Sequence, residues 1–256
     1  MDKIITREGV LAQLQSANIN LSVYDCVEST NSLLKPRALD GKAEGEVIIA
    51  LSQTAGRGRY DRRFESATGG IYMSVLLRPQ SIINTAILTA AASVAVSDAI
   101  EEVSDKNTQI KWVNDILIDS KKVCGILCEG GFTGNDGFII VGIGINAIMP
   151  QNGFKDEIRD IAGHIFDSPS PAACEKLTAR VIDNLFYQYN NLETSEFLDK
   201  YRQKNVVLNK QVSILKQGEI IGSGEVLAID NNCHLTVRLS NGEITSLSSG
   251  EVSVKI

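Results

Sequence analysis

Apolar residues recur along this chain with periods that change from segment to segment, and each change predicts a new element. A short helix is expected around Arg7–Ala17 and a strand near Leu21–Cys26. A second helix follows, with its start at Ser29 or Thr30, whose hydroxyls can accept from the free N–H groups of a first helical turn. Val47–Ser52 is a continuous apolar run of strand length. In Gly70–Leu77, Ile71, Met73, Val75 and Leu77 alternate with Tyr72 and Ser74, the pattern of a strand. Over Asn84–Val103 the spacing lengthens. Ile87, Leu88, Ala91, Ala95, Ala99 and Val103 fall on one face of a helix.

Strands are next predicted at Gln109–Val113, Ile116–Ile118, Val123–Cys128 and Phe138–Ile145, with a tight turn at Asp119-Ser120-Lys121. Strands that succeed one another without helices between them imply an α+β fold, a mixed sheet with hairpins and flanking helices rather than a doubly wound sheet. Ser170-Pro171 opens a long helix to about Asn191, with proline at its favoured first position, and a shorter helix follows around Ser195–Gln203. Val207–Leu215, Glu219–Ile229, Cys233–Leu239, Glu243–Leu247 and Val252–Ile256 read as short strands. Asp230-Asn231-Asn232 and the hairpin dipeptide Asn241-Gly242 separate some of them. A small SH3-like β-barrel is expected there, giving domains at 1–205 and 206–256. No internal repeat or low-complexity linker interrupts the chain.

Composition narrows the class. The chain has 256 residues, 43% hydrophobic and 22% charged, with a mean hydropathy of +0.01, an ordinary soluble profile. It lacks an apolar run of the roughly 18 residues that a membrane helix needs. Met1–Val10 has no apolar core of signal-peptide length. The five cysteines and two histidines are scattered without disulfide or zinc spacing, so a reduced cytoplasm is the expected setting. Cys124 and Cys128 share one strand face, where apolar packing explains them better than redox chemistry. The net charge of −6 argues against general nucleic-acid binding. Against it stands Gly56–Arg63, with four arginines and one aspartate in eight residues. Such a loop suits a small carboxylate or phosphate ligand, although composition alone favours a solvated basic turn.

Four segments carry candidate chemistry. Glu28-Ser29-Thr30-Asn31 caps a helix, and hydroxyls there can also bond a buried polar ligand. Ser52–Arg59 follows a strand directly. Its glycines free backbone N–H groups to face an anion and its arginine forks add bidentate recognition. It is neither a Walker loop nor a dinucleotide fingerprint. Lys111-Trp112-Val113-Asn114-Asp115 with Lys121–Leu127 is a hairpin in which Asn114 and Asp115 can meet a nucleotide or magnesium and Lys122 a reacting carboxylate; solvated turn lysines are the plainer alternative. Val141–Asn146 alternates glycine with apolar residues, meaning close backbone packing or room for a flat ring.

In that order the segments resemble those of the bacterial biotin–protein ligase family: Glu-Ser-Thr-Asn, Gln-Thr-Ala-Gly-Arg-Gly-Arg, Lys-Trp-x-Asn-Asp, Lys-x-x-Gly-Ile-Leu and Gly-Ile-Gly-Ile-Asn. The likeness runs from about Val10 to the C-terminus. It implies a class II synthetase-like catalytic domain, and an enzyme that forms biotinyl-adenylate from biotin and ATP and then biotinylates a lysine of a biotin carboxyl carrier protein. By this resemblance Ser29, Thr30, Asn31 and Gln53 belong with biotin's ring. Arg57, Gly58 and Arg59 close over its carboxylate and the adenylate phosphate, and Lys122 touches the carboxylate and the acyl phosphate. Gly125 lines the floor, while Arg57, Phe64, Asn114, Asp115 and Asn146 lie on the nucleotide side. Lys122, Arg57 and Arg59 are the implied catalytic residues, with magnesium carried mainly by the ATP phosphates and no protein ligand assigned to it. Two positions depart from the family: Val113 stands where proline is common, and Phe64 where tryptophan is common.

A mixed anhydride hydrolyses readily, so a loop that excludes water is expected over it, and Gly56–Gly69, mobile without ligand because of its glycines and charges, is expected to be that cover. Only 28 residues precede Ser29, too few for the family's winged-helix DNA reader, so no DNA or membrane partner is expected, and the protein is a monomer or a homodimer. A lipoate–protein ligase is the nearest rival, faintly echoed by Arg62-Arg63 and Gly69-Gly70, but its pattern lacks the Gly-Arg-Gly-Arg loop. A non-catalytic biotin-binding module would need apolar burial more than the cations of Lys122 and the two arginines.

Overall fold

The strand periodicities resolve into two sheets. The computed structural model describes residues 3–81, 83–133, 136–168, 170–249 and 253–255. Its first sheet contains β1 (Asn20–Tyr24), β2 (Glu46–Ala50), β3 (Ile71–Leu77), β4 (Gln109–Lys111), β5 (Asp115–Ile118), β6 (Lys121–Thr133) and β7 (Asp136–Ile145), in the spatial order β1-β2-β3-β7-β6-β5-β4. Only β1 and β2 run parallel, because the helix α2 (Thr30–Leu39) returns the chain between them. Every other pairing is antiparallel, as expected of strands joined without helices.

One face of the sheet carries the main core. Ile71, Met73, Val75 and Leu77 of β3 and Val141, Ile143 and Ile145 of β7 pack there with the helix α3 (Thr85–Ser104). Ala91, Ala92, Ala95 and Ala99 keep that helix surface low enough for the long helix α4 (Pro171–Asn190) to join the same core through Leu177, Val181 and Leu185. The predicted caps are present: Ser29 Oγ accepts from Ser32 N and Ser170 Oγ from Ala173 N, with Pro171 at the first position of α4. The opposite face is covered over only part of its length. Leu34 and Ala38 of α2 bury Ile48, Leu76, Phe138 and Ile140. Beyond the N-terminus of α2 this face carries Ser74, Gly142, Leu127, Tyr72, Gly144 and Gly125. Thus all seven residues of β3 are buried, and its sequence alternation separates two covered faces instead of an inside from an outside.

The second sheet is antiparallel, with β8 (Gln211–Lys216), β9 (Glu219–Ile229), β10 (Leu235–Leu239), β11 (Ile244–Leu247) and β12 (Ser253–Lys255) in the order β11-β10-β9-β8-β12. Several predicted ends shift. The first helix, α1 (Arg7–Gln13), stops before the expected Ala17, and β8 starts at Gln211 instead of Val207. β4 ends at Lys111, because residues 112–114 form the turn into β5. Val252 and Ile256, the ends of the last predicted strand, lie outside the described residues.

The two sheets share one core, in which Val212, Ile214, Val226 and Val237 join the apolar cluster that holds Trp112. The turn at 112–114 is fixed from this side. Trp112 Nε1 donates to Cys233 O at 2.8 Å, and the fully buried Tyr201 of α5 (Glu196–Lys204) donates its hydroxyl to Val113 O at 3.0 Å. Val206 N also donates to Ile110 O at 2.9 Å, carrying the chain along β4 on its way to the second sheet. Burial raises the Tyr201 hydroxyl well above the ordinary tyrosine value, so it remains a donor at any working pH. Tyr201→Phe leaves the Val113 carbonyl without this partner and is expected to lower unfolding free energy by about 1–3 kcal/mol. Urea titration measures it, and an unchanged midpoint would count against this role.

Candidate active site

This face of the sheet is built from three rows of paired residues across β3, β7 and β6, the first of them under α2. Leu76, Ile140 and Glu129 form the first row, Ser74, Gly142 and Leu127 the second, and Tyr72, Gly144 and Gly125 the third. From the end of α2 outward the side chains shrink to glycine on β7 and β6, and a cleft of about 840 Å³ opens. Every residue singled out from the sequence lines it: Ser29, Thr30, Asn31, Gln53, Arg57, Gly58, Arg59, Phe64, Asn114, Asp115, Lys122, Gly125 and Asn146. Seven lining residues are arginine or lysine and three are aspartate or glutamate, so the cleft is cationic although the protein is anionic. A smaller cavity of about 620 Å³ adjoins it and shares Glu65, Tyr72, Asn146, Lys155 and Glu157.

The wall beside α2 is polar and almost fully buried. Ser29, Thr30 and Asn31 are 3%, 4% and 5% exposed, so each polar atom there needs a partner. Thr30 N donates to Gln53 Oε1 at 2.8 Å, and Gln53 Nε2 donates to Ser66 Oγ at 2.9 Å, which in turn donates to Phe64 O. Ser74 Oγ lies 2.8 Å from Thr30 Oγ1 and 2.5 Å from Asn31 Oδ1. The Asn31 amide fills the room that Gly142 leaves: a Cβ at Gly142 would stand 2.3 Å from Asn31 Oδ1. Likewise a Cβ at Gly144 or Gly125 would meet the Phe64 ring, at 2.5 and 2.9 Å. The space expected for a flat ligand ring is therefore partly taken by the protein's own side chains.

The arginine loop is a small hairpin. Phe64 N donates to Gly56 O at 2.9 Å, Gly58 N donates to Arg62 O at 2.7 Å, and Arg57 bridges Arg63. Tyr60 turns its tip with a left-handed φ of 56°. The two arginines diverge. Arg57 Nη2 pairs with Glu129 Oε1 at 2.7 Å. Arg59 reaches Asn114 Oδ1 at 3.4 Å and Ser249 O, stacking 4.8 Å above the Tyr60 ring, and Tyr60 Oη also donates to Ser249 O at 2.6 Å. Phe64 meets Tyr72 edge-on at 6.3 Å, and Lys122 Nζ stands 5.6 Å from the Phe64 ring.

Lys122 is placed by backbone on both sides, donating to Ile161 O at 2.7 Å and accepting from Gly163 N at 2.8 Å, while its Nζ pairs with Asp115 Oδ1 at 2.6 Å. Asn114 is pinned to Ile126 through both its side chain and its backbone, and Asn146 N donates to Val123 O at 2.8 Å. Burial raises the Tyr72 hydroxyl above its ordinary range. It also raises the Cys124 thiol and pushes Cys128 up to about 12, so both thiols stay protonated and behave as the packing residues their spacing suggested.

Sequence reasoning missed Glu129, Ser66, Ser74 and Tyr72. A usable signal existed for two of them. Ser74 interrupts an apolar strand, and Glu129 follows Gly125 and Leu127 at two-residue steps on one strand face.

Comparison with known proteins bears on this cleft. Residues 23–146 match the biotin/lipoate A/B protein ligase family, and residues 207–255 match the biotin protein ligase C-terminal domain. A bifunctional ligase/repressor BirA of Bacillus subtilis is 42% identical over 161 residues, which is 62% of this chain and 48% of that protein. The match thus spans about half the length of that relative. A biotin–[acetyl-CoA-carboxylase] ligase of Mycobacterium tuberculosis is 28% identical over 91% of this chain and 88% of its own. The structure of the biotin protein ligase from Aquifex aeolicus in complex with biotin and ATP superposes with a TM-score of 0.76 at 29% identity, covering 92% of this chain and 98% of that one.

Gly142→Ala is expected to force the Asn31 amide from Ser74 and Glu129, leaving buried polar groups unpaired at a cost of about 1–3 kcal/mol. In an Asn31→Ala background the same change should cost measurably less. Additive urea-derived values in this double-mutant cycle would refute the contact.

Proposed function

We propose that this chain, whose residues 23–146 match the biotin/lipoate A/B protein ligase family and 207–255 the biotin protein ligase C-terminal domain, is an ATP-dependent biotin–protein ligase. The observation that carries this reading is the convergence of all thirteen motif residues on one cationic cleft. Within this reading the chain divides at 205/206 into a catalytic and an SH3-like domain, and the acceptor is a lysine of a biotin carboxyl carrier protein. The free cysteines fit work in the cytoplasm, and among the described residues no helix is long and apolar enough to cross a membrane.

Biotin's carboxylate and ATP repel one another until cations stand between them. Lys122, held over the cleft by Asp115, is placed to receive the carboxylate, and the arginine hairpin brings Arg57 and Arg59 to the charge that builds at the α-phosphate. A carboxylate oxygen attacks the α-phosphorus, the bond to the bridging oxygen breaks, and pyrophosphate leaves. Magnesium bound to the phosphates would supply further neutralisation. Among the described residues no group of three or more histidine, cysteine, aspartate or glutamate side chains could hold an ion, so the protein offers single carboxylates such as Asp115. In the second step a neutral acceptor amine attacks the acyl carbon. A C–N bond forms, the acyl C–O bond breaks, AMP departs and the nitrogen loses its proton. The hairpin with Phe64 covers the mixed anhydride and keeps water from it.

Biotin-dependent exchange of pyrophosphate into ATP tests the reaction. The parent chain should catalyse it, and Lys122→Ala or Arg57→Ala should reduce it by about 100-fold or more. Exchange supported by lipoate and not by biotin would overturn the substrate. The covering role is tested separately: biotin with ATP should protect the arginines of Gly56–Gly69 from trypsin, and cleavage at an undiminished rate would refute it.

A further inference from the structure

Glu129 lies on the cleft side of the sheet, in the row of Leu76 and Ile140, just behind the cleft lining. Its two carboxylate oxygens hold different partners. Oε1 takes Arg57 Nη2 at 2.7 Å, at the stem of the arginine hairpin, and Oε2 takes Asn31 Nδ2 at 2.8 Å, in the buried polar wall. We propose that Glu129 is a positioning residue that fixes the orientation of the Asn31 amide, and with it the acceptor that Ser74 meets, in the buried polar wall beside the arginine hairpin. The inference rests on the biotin-ligase reading and adds to it the group that sets which donors and acceptors the ligand ring meets.

The direction follows from counting protons. A carboxylate only accepts, so Asn31 must turn its NH₂ toward Glu129 and its Oδ1 toward Ser74. Ser74 Oγ then donates to Asn31 Oδ1 at 2.5 Å and also toward Thr30 Oγ1 at 2.8 Å, and the Thr30 hydroxyl donates to Gln53 Oε1 at 3.2 Å. The carboxylate thus fixes which end of the Asn31 amide Ser74 meets. Gln53 Oε1 is then held by Thr30 N–H, and Gln53 Nε2 is turned to Ser66. Without the carboxylate the Asn31 amide can flip. Its NH₂ would then face Ser74, whose hydroxyl would lose its acceptor at Oδ1. The wall would keep its shape with the polarity of the Asn31 amide reversed.

Two variants separate the roles. Glu129→Gln retains an oxygen that can accept from Asn31 but brings an NH₂ against Arg57, whereas Glu129→Ala loses both contacts. Biotin binding is measured calorimetrically without ATP, and exchange kinetics give the KM for each substrate. Glu129→Ala should weaken biotin binding about 10- to 100-fold and change the ATP KM by less than that, with Glu129→Gln recovering most of the loss in biotin binding. Urea titration of both variants checks that each is folded. Biotin binding by Glu129→Ala equal to the parent's would overturn the inference alone, as would equal weakening in both variants or a change confined to the ATP KM. Failure of the parent chain to bind biotin would remove the functional reading and this inference with it.

Discussion

The site depends on how the side-chain amide of Asn31 is satisfied. This residue is in the first turn of α2, where the helix ends its cover of the sheet, and its amide drops into the gap that Gly142 leaves in β7. A buried amide has acceptor and donor atoms to satisfy in fixed directions, and here Ser74 of β3 and Glu129 of β6 do so. One side chain thereby ties the helix end to three strands. The cleft begins where that tie ends, over Gly144 and Gly125.

Charge is arranged around this frame with little overlap between partners. Arg57 turns to β6, Arg59 to Asn114 and the second sheet, and Lys122 to Asp115 across the hairpin that carries it. Each cation has a partner of its own, so the cleft can be strongly cationic without the loop repelling itself apart. Such pairs also hold long side chains near one geometry before any anion arrives, which reduces the ordering a ligand must impose.

Much of this was legible in the chain. The three- and four-residue spacing of Ile87 to Val103 marked α3, and Asn241-Gly242 marked the turn between β10 and β11. Local motifs at Ser29, Arg57, Lys122 and Asn146 were found because their spacing is local, and all reached one cleft. What escaped depends on register and on contacts distant in sequence. Nothing in Gly142 announces that Asn31 fills it, since they are paired only after β3, β7 and β6 align. Trp112 and Cys233 are 121 residues apart, so no window of sequence shows their hydrogen bond. The helix and strand ends that moved, at Gln13 and Gln211, lie where apolar periodicity continues briefly past the last backbone hydrogen bond.

The contact at the hairpin tip has a consequence for how the sequence can drift. Arg59 and Tyr60 both reach the main-chain oxygen of Ser249. Any amino acid at 249 supplies that oxygen, provided the turn keeps its path. The latch therefore constrains substitution on one side only. The loop must keep a long cation and a hydroxyl-bearing ring, while the opposing position can vary in side chain without loosening the grip.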